Sequence, residues 1–228
     1  MGINHKVIDQ KFDEDSVIET DPVLCSKLIV EGKNKSARAL LSTTKDESYP
    51  VLTADTLVFT PSKKIVGKPE NYEHSRELLR EFSGATHSVF STVMISTTEQ
   101  SLLKTCETKV SFKNMTKEEI EEYVLSEEGV GKAGAYGIHG PAGKYVTNIE
   151  GSYTNVVGLP VHETYEILKE LNMNSNLLSK IRLIHPLILP DLSFIAMVGR
   201  GEAIIKIDKC GKIINWNKGY GFHHSIEK

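Results

Sequence analysis

VLTADTLVF (51–59) is the stretch on which the fold turns. Valine, leucine, threonine and phenylalanine dominate it, the residues that suit a pleated, half-buried surface. It has the length of a strand rather than of a helix, and it reads as a buried strand. One acid, Asp55, interrupts it. A carboxylate inside such a run is costly unless it is paired or bound to a metal. The ordinary alternative is an aspartate that closes a strand end or a turn. Thr56, the next residue, then points to the opposite strand face or lies at the strand's end.

Working outward from this strand, the flanking segments alternate between helix and strand signals. Upstream, INHKVI (3–8) reads as a short strand and FDEDSVIETDP (12–22) as an acidic loop. Asp21-Pro22 is a helix start, a capping carboxylate followed by proline at the first helical position. That helix is expected over about 22–42, with Gly32 a place for it to bend. Downstream, PSKKIVGKP (61–69) turns the chain, and Asn71 caps a helix reaching Phe82, ended by Ser83-Gly84. THSVFSTVMIST (86–97) and the stretch 102–112 are expected to be antiparallel neighbours. Thr116 and Glu119 make a capping box that opens a helix to about Leu125. A strand is expected near KYVTNIEG (144–151) and a helix over about 161–172. The fold class is therefore α/β, a mixed twisted sheet with flanking helices and no clean βαβ repeat.

The end of the chain differs. IRLIHPLILP (181–190), LSFIAMVG (192–199), EAIIKID (202–208) and KIINW (212–216) are β-rich, and residues 208–211 suit a hairpin turn. With a polar stretch from about 172 to 178, the expected division is a domain over 1–172 and a β-rich C-terminal appendage over 173–228. The appendage looks like one blade of a β-propeller, and a single blade cannot close a propeller.

The chain has 228 residues, 39% hydrophobic and 25% charged, with a formal net charge of -3. No global basic field favours nucleic acid, although a small basic pocket can still bind phosphates. Cys25, Cys106 and Cys210 are odd in number and far apart, with no CxxC, so neither a disulfide framework nor a zinc site is indicated. No run of 18 apolar residues and no signal-like segment occurs. The expectation is a cytoplasmic protein with no nucleic-acid or membrane partner.

The stretch 132–160, KAGAYGIHGPAGKYVTNIEGSYTNVVGLP, carries glycines at 134, 137, 140, 143, 151 and 158. Glycine loses the most freedom on folding, so such density points to left-handed turns or to backbone lying close to a ligand. Several polar residues are candidates there and elsewhere. Lys68 sits in a GKP turn, where a rigid loop could hold it against a phosphate. Lys35 lies in NKSARALL (34–41), with Arg38 nearly on the same helix face. Glu14 sits in the acidic loop and His139 among small and apolar neighbours. For each, a solvated or structural role is the plainer reading from spacing alone. GxSxG, HExxH and GxxxxGK[ST] patterns are absent, which argues against nucleophilic hydrolase, zincin and Walker-type chemistry.

Taken in order, these segments resemble the Maf family of nucleoside triphosphate pyrophosphatases over about residues 2–171. The resemblance rests on FDE (12–14), KSARAL (35–40), ADTLV (54–58), GKP (67–69), FSGATHSVFSTV (82–93), KAGAYGIHG (132–140) and GSYTNVVGLP (151–160). It implies an α/β fold related to the inosine triphosphate pyrophosphatases. It also implies hydrolysis of the α–β phosphate bond with a divalent metal, Mg2+ or Mn2+. Asp55 would be the catalytic acid and, with Glu14, a metal ligand. Lys35 and Lys68 would hold the triphosphate, and Thr56 and His139 would help to recognise the base. Lys132 and Asn155 would be the further polar groups of the base and sugar pocket. The DT pair and GSYTNVVGLP are similar to the subgroup acting on dTTP and UTP, so a pyrimidine nucleotide is the implied substrate, with a homodimer allowed. The family's SxSPRR-type loop falls upstream of the position matched by Met1 and is not found in this sequence; at position 139 the family's usual glutamine is here His139, and its acid just before KAG is here Gly131. A catalytically impaired nucleotide-binding module or a truncated fusion is the alternative.

Overall fold

The computed structural model describes residues 5–171 and 173, together with four strands at 187–188, 194–198, 203–207 and 213–218. Helix α1 (Pro22–Leu41) starts as its sequence dictates. Asp21 accepts from the Leu24 amide at 2.7 Å, and Pro22 occupies the first turn. Its buried positions, among them Ser26, Ile29, Val30, Asn34 and Ala37, recur every three or four residues and form one stripe. Strand β1 (Val51–Phe59) follows, then β2 (Ile65–Val66), α2 (Tyr72–Phe82), β3 (Thr86–Ser96) and β4 (Ser101–Phe112). After these come α3 (Lys117–Leu125), β5 (Val146–Glu150), α4 (Tyr153–Val157) and α5 (Val161–Glu170). Asn71 caps α2 through the His74 amide at 2.9 Å. Both bonds of the Thr116/Glu119 capping box are present at the start of α3.

The five strands form one sheet in the order β2-β1-β3-β4-β5. Every ladder is antiparallel, which corrects the expectation of a mixed sheet. For β1–β2 and β3–β4 the reason lies in the connections: β1 turns back through residues 60–64 and β3 through 97–100, links too short for a parallel crossover. The β1–β3 and β4–β5 ladders close across the longer stretches that carry α2 and α3. Two further expectations change. Residues 5–8 form no strand, and β2 and α4 are elements that the sequence pattern did not announce.

β3 is the central strand, covered on both faces. Register places Val58, Val89 and Val110 on one face, above which α2 supplies Leu79 and Phe82, α3 Ile120 and Val124, and the glycine-rich stretch Tyr136. Each fully buried side chain of this size contributes about 1.5–3 kcal/mol relative to exposure. His87 belongs to this core. Its ring stacks on Phe82 at 4.2 Å, and Nε2 lies 2.8 Å from the Tyr136 hydroxyl. The opposite face carries Leu57, which packs with Cys25 and Ile29 of α1.

Contacts divide the chain into two compact units, one of Ile8–Asn172 and one of Met1–Val7 with Met173–Lys228. In the second, β6 (Leu187–Ile188), β7 (Phe194–Val198), β8 (Ala203–Ile207) and β9 (Ile213–Lys218) form an antiparallel meander in that order. The hairpin turn expected at 208–211 lies outside the described residues. No described helix is long and apolar enough to cross a membrane.

Candidate active site

Asp55 lies in the middle of β1, opposite Thr92 of β3. Its side chain points to the face covered by α1. There Lys33 Nζ stands 2.7 Å from Asp55 Oδ1 and 3.0 Å from Glu14 Oε1. The Lys33 and Asp55 side chains are only 13% and 10% exposed, whereas Glu14 is 48% exposed, so the pair is buried and the second carboxylate forms its rim. Asp55 Oδ2 is buried without a hydrogen-bond partner. A buried carboxylate oxygen left unpaired is costly, and its neighbourhood is where a ligand would be expected.

Electrostatics favour the same spot. Burial pushes the Asp55 carboxyl up from its ordinary value, against the pull of Lys33, and the nearby charge of Glu14 adds to the rise. Burial works against the Lys33 ammonium, but Asp55 and Glu14 together outweigh it and hold Lys33 above the ordinary lysine value. Both groups are raised: for Lys33 this favours the charged form, for Asp55 it disfavours it. Lys33 faces two carboxylates while Asp55 shares its one cation with Glu14, so the lysine stays charged and the Asp55 carboxylate binds a proton more readily than an ordinary aspartate.

Lys33 is the residue that the sequence motif missed. Lys35, the expected phosphate ligand, is exposed on α1. Two residues along a helix rotate the side chain by about 200°, which carries Lys35 away from the sheet. The burial stripe of Ile29, Val30, Asn34 and Ala37 was the available signal, because Lys33 lies on it and Lys35 does not. Arg38 donates to Ser96 Oγ at 2.9 Å and to the Glu47 and Tyr49 carbonyls at 3.1 and 2.9 Å, straps that hold the loop after α1.

Thr56 faces the other side of the sheet. Its hydroxyl lies 2.8 Å from Ser91 Oγ and donates to the Gly158 carbonyl at 3.3 Å. Ser91 in turn donates to the Asn155 carbonyl at 2.9 Å. Asn155 is fully buried, and its Nδ2 donates to the Val89 carbonyl and to Thr108 Oγ1, each at 2.9 Å. Asn155 therefore pins α4 and the Gly158 turn onto β3 and β4. Gly158 has φ 125°, a conformation that needs glycine.

Lys68 is exposed in its turn, whose Gly67 carbonyl accepts from the Gly134 amide at 3.0 Å. That bond ties the GKP turn to the glycine-rich stretch. Lys132 donates to the Glu128 carbonyl. A Cβ on Gly137 would lie 2.9 Å from the Lys132 side chain and 3.3 Å from His139 Cε1, so glycine there lets Lys132 and His139 come together.

The donor set fits a divalent cation of the hard, oxygen-seeking kind. Asp55 offers a free oxygen and Glu14 a carboxylate at the rim, and magnesium is commonly held by one or two carboxylates with substrate phosphates and waters. Among the described residues no group of three or more His, Cys, Asp or Glu could hold a metal alone. Substrate oxygens and waters would have to complete the shell.

The family model described as Maf-like protein matches residues 1–171. The dTTP/UTP pyrophosphatase of Chromobacterium violaceum is 39% identical over 170 residues, which are 75% of this chain and 85% of that protein. The dTTP/UTP pyrophosphatase of Escherichia coli K12 is 42% identical over 140 residues, 61% of this chain and 70% of that protein. A protein of Haemophilus ducreyi named nucleoside triphosphate pyrophosphatase is 37% identical over 149 residues, 65% of this chain and 75% of its own length. With its model matching three quarters of the sequence and with relatives well above 30% identity, this chain belongs to the Maf-like family.

Proposed function

We propose that this chain hydrolyses nucleoside triphosphates of the dTTP and UTP type to a nucleoside monophosphate and pyrophosphate. The observation that carries the reading is the unpartnered buried Oδ2 of Asp55 beside Lys33 and Glu14. In a chain of this family, with relatives named dTTP/UTP pyrophosphatase, that oxygen is where the chemistry belongs.

Water attacks the α-phosphorus, the bond from that phosphorus to the bridging α–β oxygen breaks, and pyrophosphate leaves with the bond's electron pair. Asp55 orients the water and accepts its proton, a role that its raised affinity for protons favours. Glu14 and Asp55 would hold Mg2+ or Mn2+. Bound there, the cation would withdraw charge from the phosphate oxygens. Lys33 supplies a fixed positive charge at the same place. Lys68, exposed on a turn anchored to Gly134, reaches for the outer phosphates, and Lys35 adds positive charge from the outer face of α1. Lys132 and His139, gathered over Gly137, contact the sugar and base. Thr56 and Asn155, on the other face of β1, support the base side by holding α4 and the Gly158 turn, since the Thr56 hydroxyl and the Asn155 Nδ2 donors are already engaged within the fold.

The test is pyrophosphate release from a panel of nucleoside triphosphates with Mg2+ or Mn2+. Turnover of dTTP and UTP above the purine nucleotides is expected, with Asp55→Asn as the inactive control. Binding of UTP without any release of pyrophosphate would overturn the enzymatic reading.

A further inference from the structure

Gly32 sits in the middle of α1, where glycine costs a helix about 1 kcal/mol relative to alanine. The helix nevertheless runs on from Pro22 to Leu41. A Cβ at Gly32 would lie 2.3 Å from Cε2 and Cζ of Phe12 and 2.6 Å from its Cδ2. Carbon atoms that are not bonded do not approach so closely. The missing side chain is therefore a notch, and the Phe12 ring fills it. One helical turn on, Ser36 Oγ accepts from the Lys11 amide at 2.9 Å. Lys11 and Phe12, where the acidic loop begins, thus dock on Ser36 and Gly32, positions that share one face of α1. Phe12 also packs against the cluster of Cys25, Ile29 and Leu57. Two residues beyond the ring is Glu14, whose carboxylate meets Lys33, the residue after Gly32.

We propose that Gly32 and Phe12 form a lock that seats the loop of residues 11–16 on α1 and thereby positions Glu14 for the divalent cation. They are positioning residues, and the proposal rests on the reading of Asp55 and Glu14 as the metal carboxylates. Residues 5–13 carry no helix or strand, and residues 14–16 make only a single 3-10 turn capped by Asp13. Regular secondary structure does not fix Glu14 in place. The ring in its notch does, together with the Lys11–Ser36 bond and the Lys33–Glu14 pair.

Gly32→Ala separates this role from helix stability, because alanine is the better helix former. In the full chain, Gly32→Ala should weaken Mn2+ binding, followed by calorimetry or electron paramagnetic resonance, by about tenfold, the lower range for loss of a group that orients a metal ligand. It should also speed tryptic cleavage after Lys11 several-fold, with helix content retained. Phe12→Ala should do the same, and the double variant Phe12→Ala/Gly32→Ala should lose no more than either single change. Wild-type Mn2+ affinity and cleavage rate in Gly32→Ala would overturn the proposal, as would losses that simply add in the double variant. If the unaltered chain binds no Mn2+ and Asp55→Asn changes nothing, the reading of the metal carboxylates fails. The cleavage rates then decide by themselves whether the notch seats the loop.

Discussion

Asp55 and Thr56 are neighbours in sequence and face opposite environments. On one side of β1, Asp55, Lys33 and Glu14 form a charged cluster under α1 with one carboxylate oxygen left over. On the other, Thr56, Ser91, Asn155 and Thr108 form a chain of neutral hydrogen bonds under α4. The period of a strand makes this separation unavoidable, since successive side chains leave opposite faces. The difference teaches that one DT pair can serve two purposes. The charged face is built for chemistry and carries an unsatisfied group. The neutral face is built for position: its hydroxyl and amide donors are used within the fold, and the buried atoms it leaves over, Asn155 Oδ1 and His87 Nδ1, belong to uncharged groups.

The sharpest way to break the comparison is at Asp55. Asp55→Asn should lower pyrophosphate release by about 10²- to 10⁴-fold, the usual contribution of a general base, with the circular dichroism spectrum unchanged. Because burial raises the Asp55 carboxyl, its protonated form persists to higher pH than for an ordinary aspartate. In the metal-free chain, a carboxyl titration followed by NMR should accordingly place Asp55 above the ordinary aspartate range, and added Mg2+ should draw it back down.

On the neutral side the equivalent change should act on stability. Asn155→Ala removes two buried hydrogen bonds, those to the Val89 carbonyl and the Thr108 hydroxyl, although the latter still accepts from the Ser152 amide. A loss of about 3 kcal/mol is expected from urea unfolding.

His87, on that same face, gives the comparison a pH dependence. Burial lowers its folded value to about 4 from 6.5. Between those values the unfolded chain binds more protons than the folded one, so stability falls as pH drops from 6.5 towards 4. The contribution is fully present above 6.5 and, on the order of 3 kcal/mol, is largely gone once pH passes below 4. Urea midpoints at several pH values should show this slope, and His87→Phe should flatten it.

The smallest effect is expected at Thr56. Thr56→Val keeps the shape and deletes the hydroxyl bonded to Ser91 and Gly158. It should cost about 1 kcal/mol of stability, while Thr56→Ser should cost less. A change in base preference with no change in stability would instead show that Thr56 touches the nucleotide.

Much of the fold was legible because its signals are local. Asp21-Pro22, Asn71 and the Thr116/Glu119 box cap the helices they announce. The apolar runs 51–59, 86–97 and 102–112 became β1, β3 and β4, with β3 and β4 antiparallel as expected. The short β2 and α4 were not legible, because two and five residues carry too little periodicity to separate them from loop. In the site, Asp55 stood out as an acid in an apolar strand. Lys33 did not, because motif spacing drew attention to Lys35 and only the burial of α1 distinguishes the two faces of that helix.

The sequence by itself determined the helix caps, the buried strands, the suspicion attached to Asp55 and the order of motifs that marks the family. These follow from backbone chemistry and side-chain type within a few residues. Only the tertiary structure decided that the sheet is wholly antiparallel, that Lys33 bridges Asp55 and Glu14, and that Asn155 is buried as a pin. It also decided the meaning of Gly32, which alone in the sequence suggests a bend and in the fold is the seat of Phe12. Those outcomes depend on which faces of distant segments meet, and that is fixed by packing the whole chain around the sheet.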